Sequence, residues 1–153
     1  MIPSIRRKKR DSGSTFVEFA LVATMFMTVI YATFDLGRAL YAYDWVSTTA
    51  RQATRYAMVR GKDCQGLSSG CPAGADDVTT YVRGLATGID TSQLTVTSGC
   101  YYGTTRLSDL PCTAASGTPN SVQVQVQYNF KFLSPLLYRS WTMHSISQRV
   151  VQN

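Results

Sequence analysis

Charged side chains are scarce in this chain. They make up 16% of its 153 residues, against about 25% in an average soluble domain. Low charge beside 44% apolar residues excludes a disordered polyelectrolyte. Histidine is scarcer still: His144 stands alone, and without an identifiable partner it is no candidate for acid–base catalysis. H-E-x-x-H and the P-loop are absent. Asp76 and Asp77 are adjacent, and neighbours on a helix point apart, so they read as helix-capping residues and not as a catalytic dyad. These absences argue against an enzyme, a bound cofactor and a small-molecule substrate. Proline is missing from Ser14 to Val59, which removes the commonest helix breaker from that stretch.

What charge there is sits unevenly. The chain, long enough for one domain, has a formal charge of +6. Arg6, Arg7, Lys8, Lys9 and Arg10 are consecutive, and with Asp11 they give residues 1–13 a charge of +4. Only +2 remains for the other 140 residues. A basic run is a nucleic-acid arm, a solvated tail or a topology signal, and its neighbour decides which. Here the neighbour is apolar: the 16 residues between Glu18 and Asp35 carry no formal charge. Counted from Thr15 to Phe34 the stretch is 20 residues, enough to cross a hydrocarbon core of about 30 Å. Five cations just before such a span hold that end in the cytoplasm. Asp35, Arg38 and Asp44 beyond it form no competing positive cluster. The run is longer than the h-region of a secretory signal, about 7–15 residues, and no A-x-A triplet follows it between Ile30 and Ala50. The expectation is a single membrane pass with the remainder exported, and no nucleic-acid partner.

Glu18 is the anomaly in the apolar stretch. A carboxylate at the bilayer centre costs about 2.5–3.5 kcal/mol even on lenient insertion scales. It either sits near the headgroups or awaits a cation. Gly13 lies five residues earlier. If a peptidase cut after Gly13, Ser14 would carry a new α-amino group four residues from Glu18, on one helix face.

The segment Arg7-Lys-Lys-Arg-Asp-Ser-Gly13-Ser-Thr-Phe-Val-Glu18-Phe-Ala-Leu-Val22 resembles the N-terminus of TadE-like pseudopilins, minor subunits of the Tad (tight adherence, Flp, type IVc) pilus apparatus. The resemblance continues through Phe34-Asp-Leu-Gly-Arg-Ala-Leu-Tyr-Ala-Tyr43 and Ala50-Arg-Gln-Ala-Thr-Arg-Tyr-Ala-Met-Val-Arg-Gly61. It returns loosely from Val122 to Leu137. By that resemblance Gly13 precedes the bond cut by a prepilin peptidase, Ser14 becomes the first residue, and Glu18 is the assembly glutamate. It also implies an inner-membrane protein with a periplasmic domain, reaching the cell surface in a pilus. Its partners would be other pilins or pseudopilins, among them a TadF-like subunit. The chain departs from the family at Thr24, where members often have proline. The alternatives are an unprocessed membrane-anchored binding module and a pseudopilin of a type II secretion system.

The expected fold is α+β and pilin-like. A helix from Ser14 to Val59, stopped at Arg60-Gly61, would be about 69 Å long. That exceeds a membrane, so residues 14–34 form a transmembrane half and 35–60 an amphipathic half. Leu36, Ala39, Tyr43, Val46, Ala50, Ala53 and Ala57 recur in steps of three and four. Their stripe suits a sheet of the same chain better than a coiled-coil seam. Gly37 marks a place where the helix could bend, at about 1 kcal/mol relative to alanine. In the exported part, residues 61–153, Asp76-Asp77 start a short helix with Val78, Val82 and Leu85 on one side. Leu94–Ser98 reads as a strand and Gly99 to Asn120 as loop. From Ser121 to Phe132 valines and aromatics alternate with Gln and Asn, one face apolar and one polar. Ser134-Pro135 breaks that strand, and Trp141 to Val151 returns as a third.

Four cysteines, Cys64, Cys71, Cys100 and Cys112, all lie past the span. An even count in an oxidising compartment points to disulfides, with three possible connectivities. The local pairs Cys64–Cys71 and Cys100–Cys112 close the shortest loops. Zinc pairs sit about two to four residues apart, so these spacings do not suit a metal.

Overall fold

The computed structural model describes residues 12–61, 64, 71–112, 121–133 and 140–150. Freed of proline, the chain forms one helix, α1 (Ser12–Val59), of 48 residues, about 72 Å long. It runs through Gly37 without interruption. A short helix α2 (Ala75–Gly84) follows, then strands β1 (Leu94–Tyr102), β2 (Thr105–Ser108), β3 (Ser121–Lys131) and β4 (Ser140–Val150). The four strands form one antiparallel sheet in the order β2-β1-β3-β4. The architecture is therefore α+β, a long helix on a sheet.

The expected third strand and the alternating strand are in place. The count differs: there are four strands, not three. The first runs past Ser98 to Tyr102, and the stretch expected as loop holds β2. Gly99 and Cys100 look like loop residues, but β1 keeps them because of what lies over them. The Arg106 side chain crosses Gly99, so close that an added Cβ would sit 2.9 Å from Arg106 Nε and 3.2 Å from the Ser108 carbonyl oxygen. Arg106 also donates to the Ser98 carbonyl at 3.2 Å and pairs with Asp109. The predicted break at Ser134-Pro135 lies outside the described residues.

The core lies between α1 and the sheet. Val122, Val124, Val126, Tyr128 and Phe130 of β3 are buried, as period-two alternation requires. They meet Ala39, Ala42, Val46, Ala50, Ala53 and Ala57 of α1. Alanines at the contact let the helix approach the sheet closely; Ala50 and Ala53 are fully buried. Leu36 and Tyr43, expected in this stripe, are exposed, and Ala42 takes their place. The buried line is 35, 39, 42, 46. A shift of one residue turns a side chain by about 100°, and both lines are apolar enough to fit a sequence pattern.

Three polar residues, Asp35, Thr49 and Thr54, belong to the buried line. Thr54 shares its hydroxyl proton between Ala50 O (2.8 Å) and Ser147 O of β4 (3.2 Å). Asp35 is 3% exposed; its Oδ1 accepts the Leu133 N–H at 3.0 Å and faces the Arg38 guanidinium at 3.5 Å. Arg38 in turn lies 5.4 Å from the centre of the Phe130 ring, a favourable cation–π distance.

On the other side, α2 covers the flank. Val78 and Val82 are buried, with Leu85 half-buried. Tyr81 stacks on Tyr56 of α1 at 4.2 Å. Asp77 does cap this helix, accepting the Gly74 N–H at 2.9 Å. The following turn is tied to α1: Tyr41 donates its hydroxyl to Thr87 O at 2.8 Å and Trp45 its indole N–H to Leu85 O at 3.2 Å. Asp90 then caps a single 3-10 turn. The Ser92 hydroxyl and N–H hold its carboxyl below the usual aspartate value.

Candidate functional site

The sequence singles out the start of α1, and there the structure leaves the helix bare. From Gly13 to Phe34 no residue is buried, and only Ala23 and Ile30 are even half-buried. Phe16, Phe19, Leu21, Met25, Phe26 and Phe34 stand 62–74% exposed. A row of large apolar side chains facing outward all round a helix needs an apolar surrounding. The helix is long and apolar enough to cross a membrane. Three of its hydroxyls are satisfied within the helix. Thr24, Thr28 and Thr33 each donate to the carbonyl four residues back, at 2.7–2.8 Å, which removes polar groups that lipid could not satisfy.

Gly13 and Ser14 occupy the exposed first turn of this helix, and a Cβ added at Gly13 would meet nothing within 4 Å. Glu18 sits one turn further on, about 6 Å along the axis from Ser14. It is exposed and forms no ion pair among the described residues. Arg6, Arg7, Lys8, Lys9 and Arg10 lie outside the described residues. So the sequence-predicted processing and assembly positions lie within the first two turns, at the tip of the bare half of α1.

The remaining candidates lie elsewhere. The cysteines are joined as Cys64–Cys71 and Cys100–Cys112, with Cα atoms 6.0 and 5.5 Å apart. The second bond ties β1 to the chain that follows β2. His144 is exposed, opposite Gln127 on the sheet face turned away from α1. No group of three or more metal-ligating side chains occurs among the described residues.

Residues 13–55 match the family model described as TadE-like protein. The chain carries a TadE-like helix. The match begins at the exposed glycine and ends where α1 is pressed against the sheet, so it takes in the whole bare span. It relates this protein to the Tad pilus system, and to pilus-system partners in general. No curated protein and no solved structure matches the chain.

Sequence reasoning missed three features. Asp35, read only as a charge flanking the span, is the buried tie between α1 and the end of β3. The exposed line of Leu36 and Tyr43 was assigned to the sheet-facing side. Gly66-Leu-Ser68-Ser-Gly70 has the G-x-S-x-G spacing of a nucleophile elbow. That motif needs a strand directly before the serine; the described element before it is the TadE-like helix, ending at Val59. The string itself lies outside the described residues.

Proposed function

We propose that this protein is a minor pseudopilin taking part in Tad pilus assembly and not an enzyme. The observation that carries the reading is the TadE-like helix, of which nearly the first half has no buried residue while presenting Gly13, Ser14 and Glu18 at its tip. In this reading Arg6–Arg10 hold the N-terminus in the cytoplasm, and the folded part stands in the periplasm above the inner membrane. A prepilin peptidase cuts after Gly13. The new ammonium group of Ser14 and the Glu18 carboxylate, on one helix or between neighbours, offset one another's cost in lipid. The helix then packs beside those of other subunits, a TadF-like one among them. The two disulfides suit an oxidising compartment.

The test is intact mass of the membrane-extracted protein from cells with an active prepilin peptidase. The expected chain starts at Ser14, and Gly13→Ala abolishes that species. A chain still bearing Arg6–Arg10 in such cells sinks the pseudopilin reading and leaves an anchored binding module. Glu18→Val should still be cut and inserted, but should fail to join other pilus subunits. Normal piliation in that variant removes the assembly role from Glu18.

A further inference from the structure

The two flanks of α1 differ. One is closed by α2 and the turn after it, through the Tyr56–Tyr81 stack and the Tyr41 and Trp45 hydrogen bonds. The other runs beside β4, as the Thr54–Ser147 bond shows. Leu36 lies 18 residues before Thr54, five whole turns, so it falls on the same line of the helix. Leu40 and Tyr43 follow at steps of four and three. These three are 61%, 62% and 64% exposed. The same steps taken backwards from Leu36 lead through Thr33, Val29 and Phe26 to Val22, all exposed, with the Thr33 hydroxyl bonded to the Val29 carbonyl. The result is one exposed line at a spacing of 3.5 residues, apolar except at Thr33. It starts in the bare half and continues for two turns beside the folded domain.

Lipid accounts for the first part of this line and not for the second. Leu36, Leu40 and Tyr43 share their turns with Arg38 and Asp44, and with Asp35 and Ala39 buried by the sheet. Whatever covers them leaves the membrane alongside α1. A 3.5-residue repeat is the seam of a left-handed pair of helices. A second copy supplies a helix of that length, at that height and with that polarity. Aligned in parallel and in register, the seam faces itself. The residues flanking it then meet five positions apart: Glu18 opposite Ala23 and Asp44 opposite Ala39, with no like charges facing. Ala23, Ala32 and Gly37 beside the seam permit close approach. The open edge of β4 offers a different two-fold contact, but that one is excluded. An axis that continues an antiparallel sheet stands perpendicular to it and reverses every direction in its plane. The two copies of α1 would point opposite ways and could not share one bilayer orientation.

We infer that the membrane-held protein pairs with a second copy of itself, helix α1 parallel to helix α1, through the line that ends in Leu36, Leu40 and Tyr43. This rests on the reading that α1 spans the membrane.

All four native cysteines are disulfide-bonded, so one introduced thiol reports alone. Leu36→Cys and Leu40→Cys, each as a single substitution in isolated membranes treated with a mild oxidant, should become mainly a disulfide-linked species of twice the chain mass. Phe34→Cys is the control: it is 70% exposed but lies on the far side of the helix from Leu36, and it should stay monomeric. Equal crosslinking at Phe34 overturns the seam. Crosslinking at Leu40 only to a different chain, or none in a chain that resists alkaline carbonate extraction, overturns the self-pairing and leaves the membrane reading intact. Release by alkaline carbonate overturns both.

Discussion

The Asp35 carboxylate accepts the backbone N–H of Leu133 across 98 residues of sequence, at 3.0 Å. It does so at the first buried position of α1, where the helix meets the sheet. The bond fixes the end of β3 to the turn at which the bare span gives way to the domain.

Asp35→Ala removes that acceptor and leaves Arg38 without its carboxylate. A hydrogen bond to a charged group contributes about 1.5–3 kcal/mol, and with its donor only partly buried a loss near the lower end is expected. The expected outcome is a lower midpoint in denaturant unfolding of the detergent-solubilised protein, followed by near-UV circular dichroism. Asp35→Asn retains an acceptor oxygen and should lose less.

Ala53 is fully buried between α1 and the sheet. Ala53→Leu forces the helix away from β3 and should cost about 1–3 kcal/mol by overpacking. The same exchange at exposed Thr48 should leave the unfolding midpoint nearly unchanged. Equal effects at the two sites would contradict the alanine contact.

Gly99→Ala places a methyl group against Arg106 and the Ser108 carbonyl. A loss of about 1–3 kcal/mol is expected. Arg106→Ala in the same chain should restore part of it, since the nearer obstacle is a side chain and the farther one is backbone. A double-mutant cycle with no coupling between the two positions would refute the crossing of Arg106 over Gly99.

Each disulfide forms with loss of two hydrogen atoms, as two protons and two electrons, so intact mass under non-reducing conditions should lie about 4 Da below that of the fully reduced chain. Loss of the Cys100–Cys112 bond by paired Cys→Ser substitution should cost about 2–4 kcal/mol and increase amide exchange in β2. Chelators should have no effect on stability.

Much of this fold was legible because its periodicities are clean. The alternation of Val122, Val124 and Val126 with glutamines places β3 within a residue of its observed end, and the proline-free run gives α1. The rest was hidden where two answers fit one pattern. Leu36 and Ala39 are both apolar, and only the sheet chooses which line it covers. Asp35 was passed over because a carboxylate on a buried line makes sense only once Leu133, far off in sequence, comes beside it. β2 escaped because its four residues are all exposed and so show no pattern. The span around Gly13, Ser14 and Glu18 was legible for the opposite reason. Nothing else in the chain packs on it, so its composition reports its surroundings directly.

The continuity of α1 has a mechanical consequence. Between Glu18 and the buried alanines there is no hinge, loop or proline, only a column of backbone hydrogen bonds. The domain is thus mounted on a rod, not hung from a tether. A pull on the domain reaches the tip without slack. Any turn of the helix about its own axis swings the sheet by the same angle, so the height and bearing of the domain are set by the way α1 is gripped below.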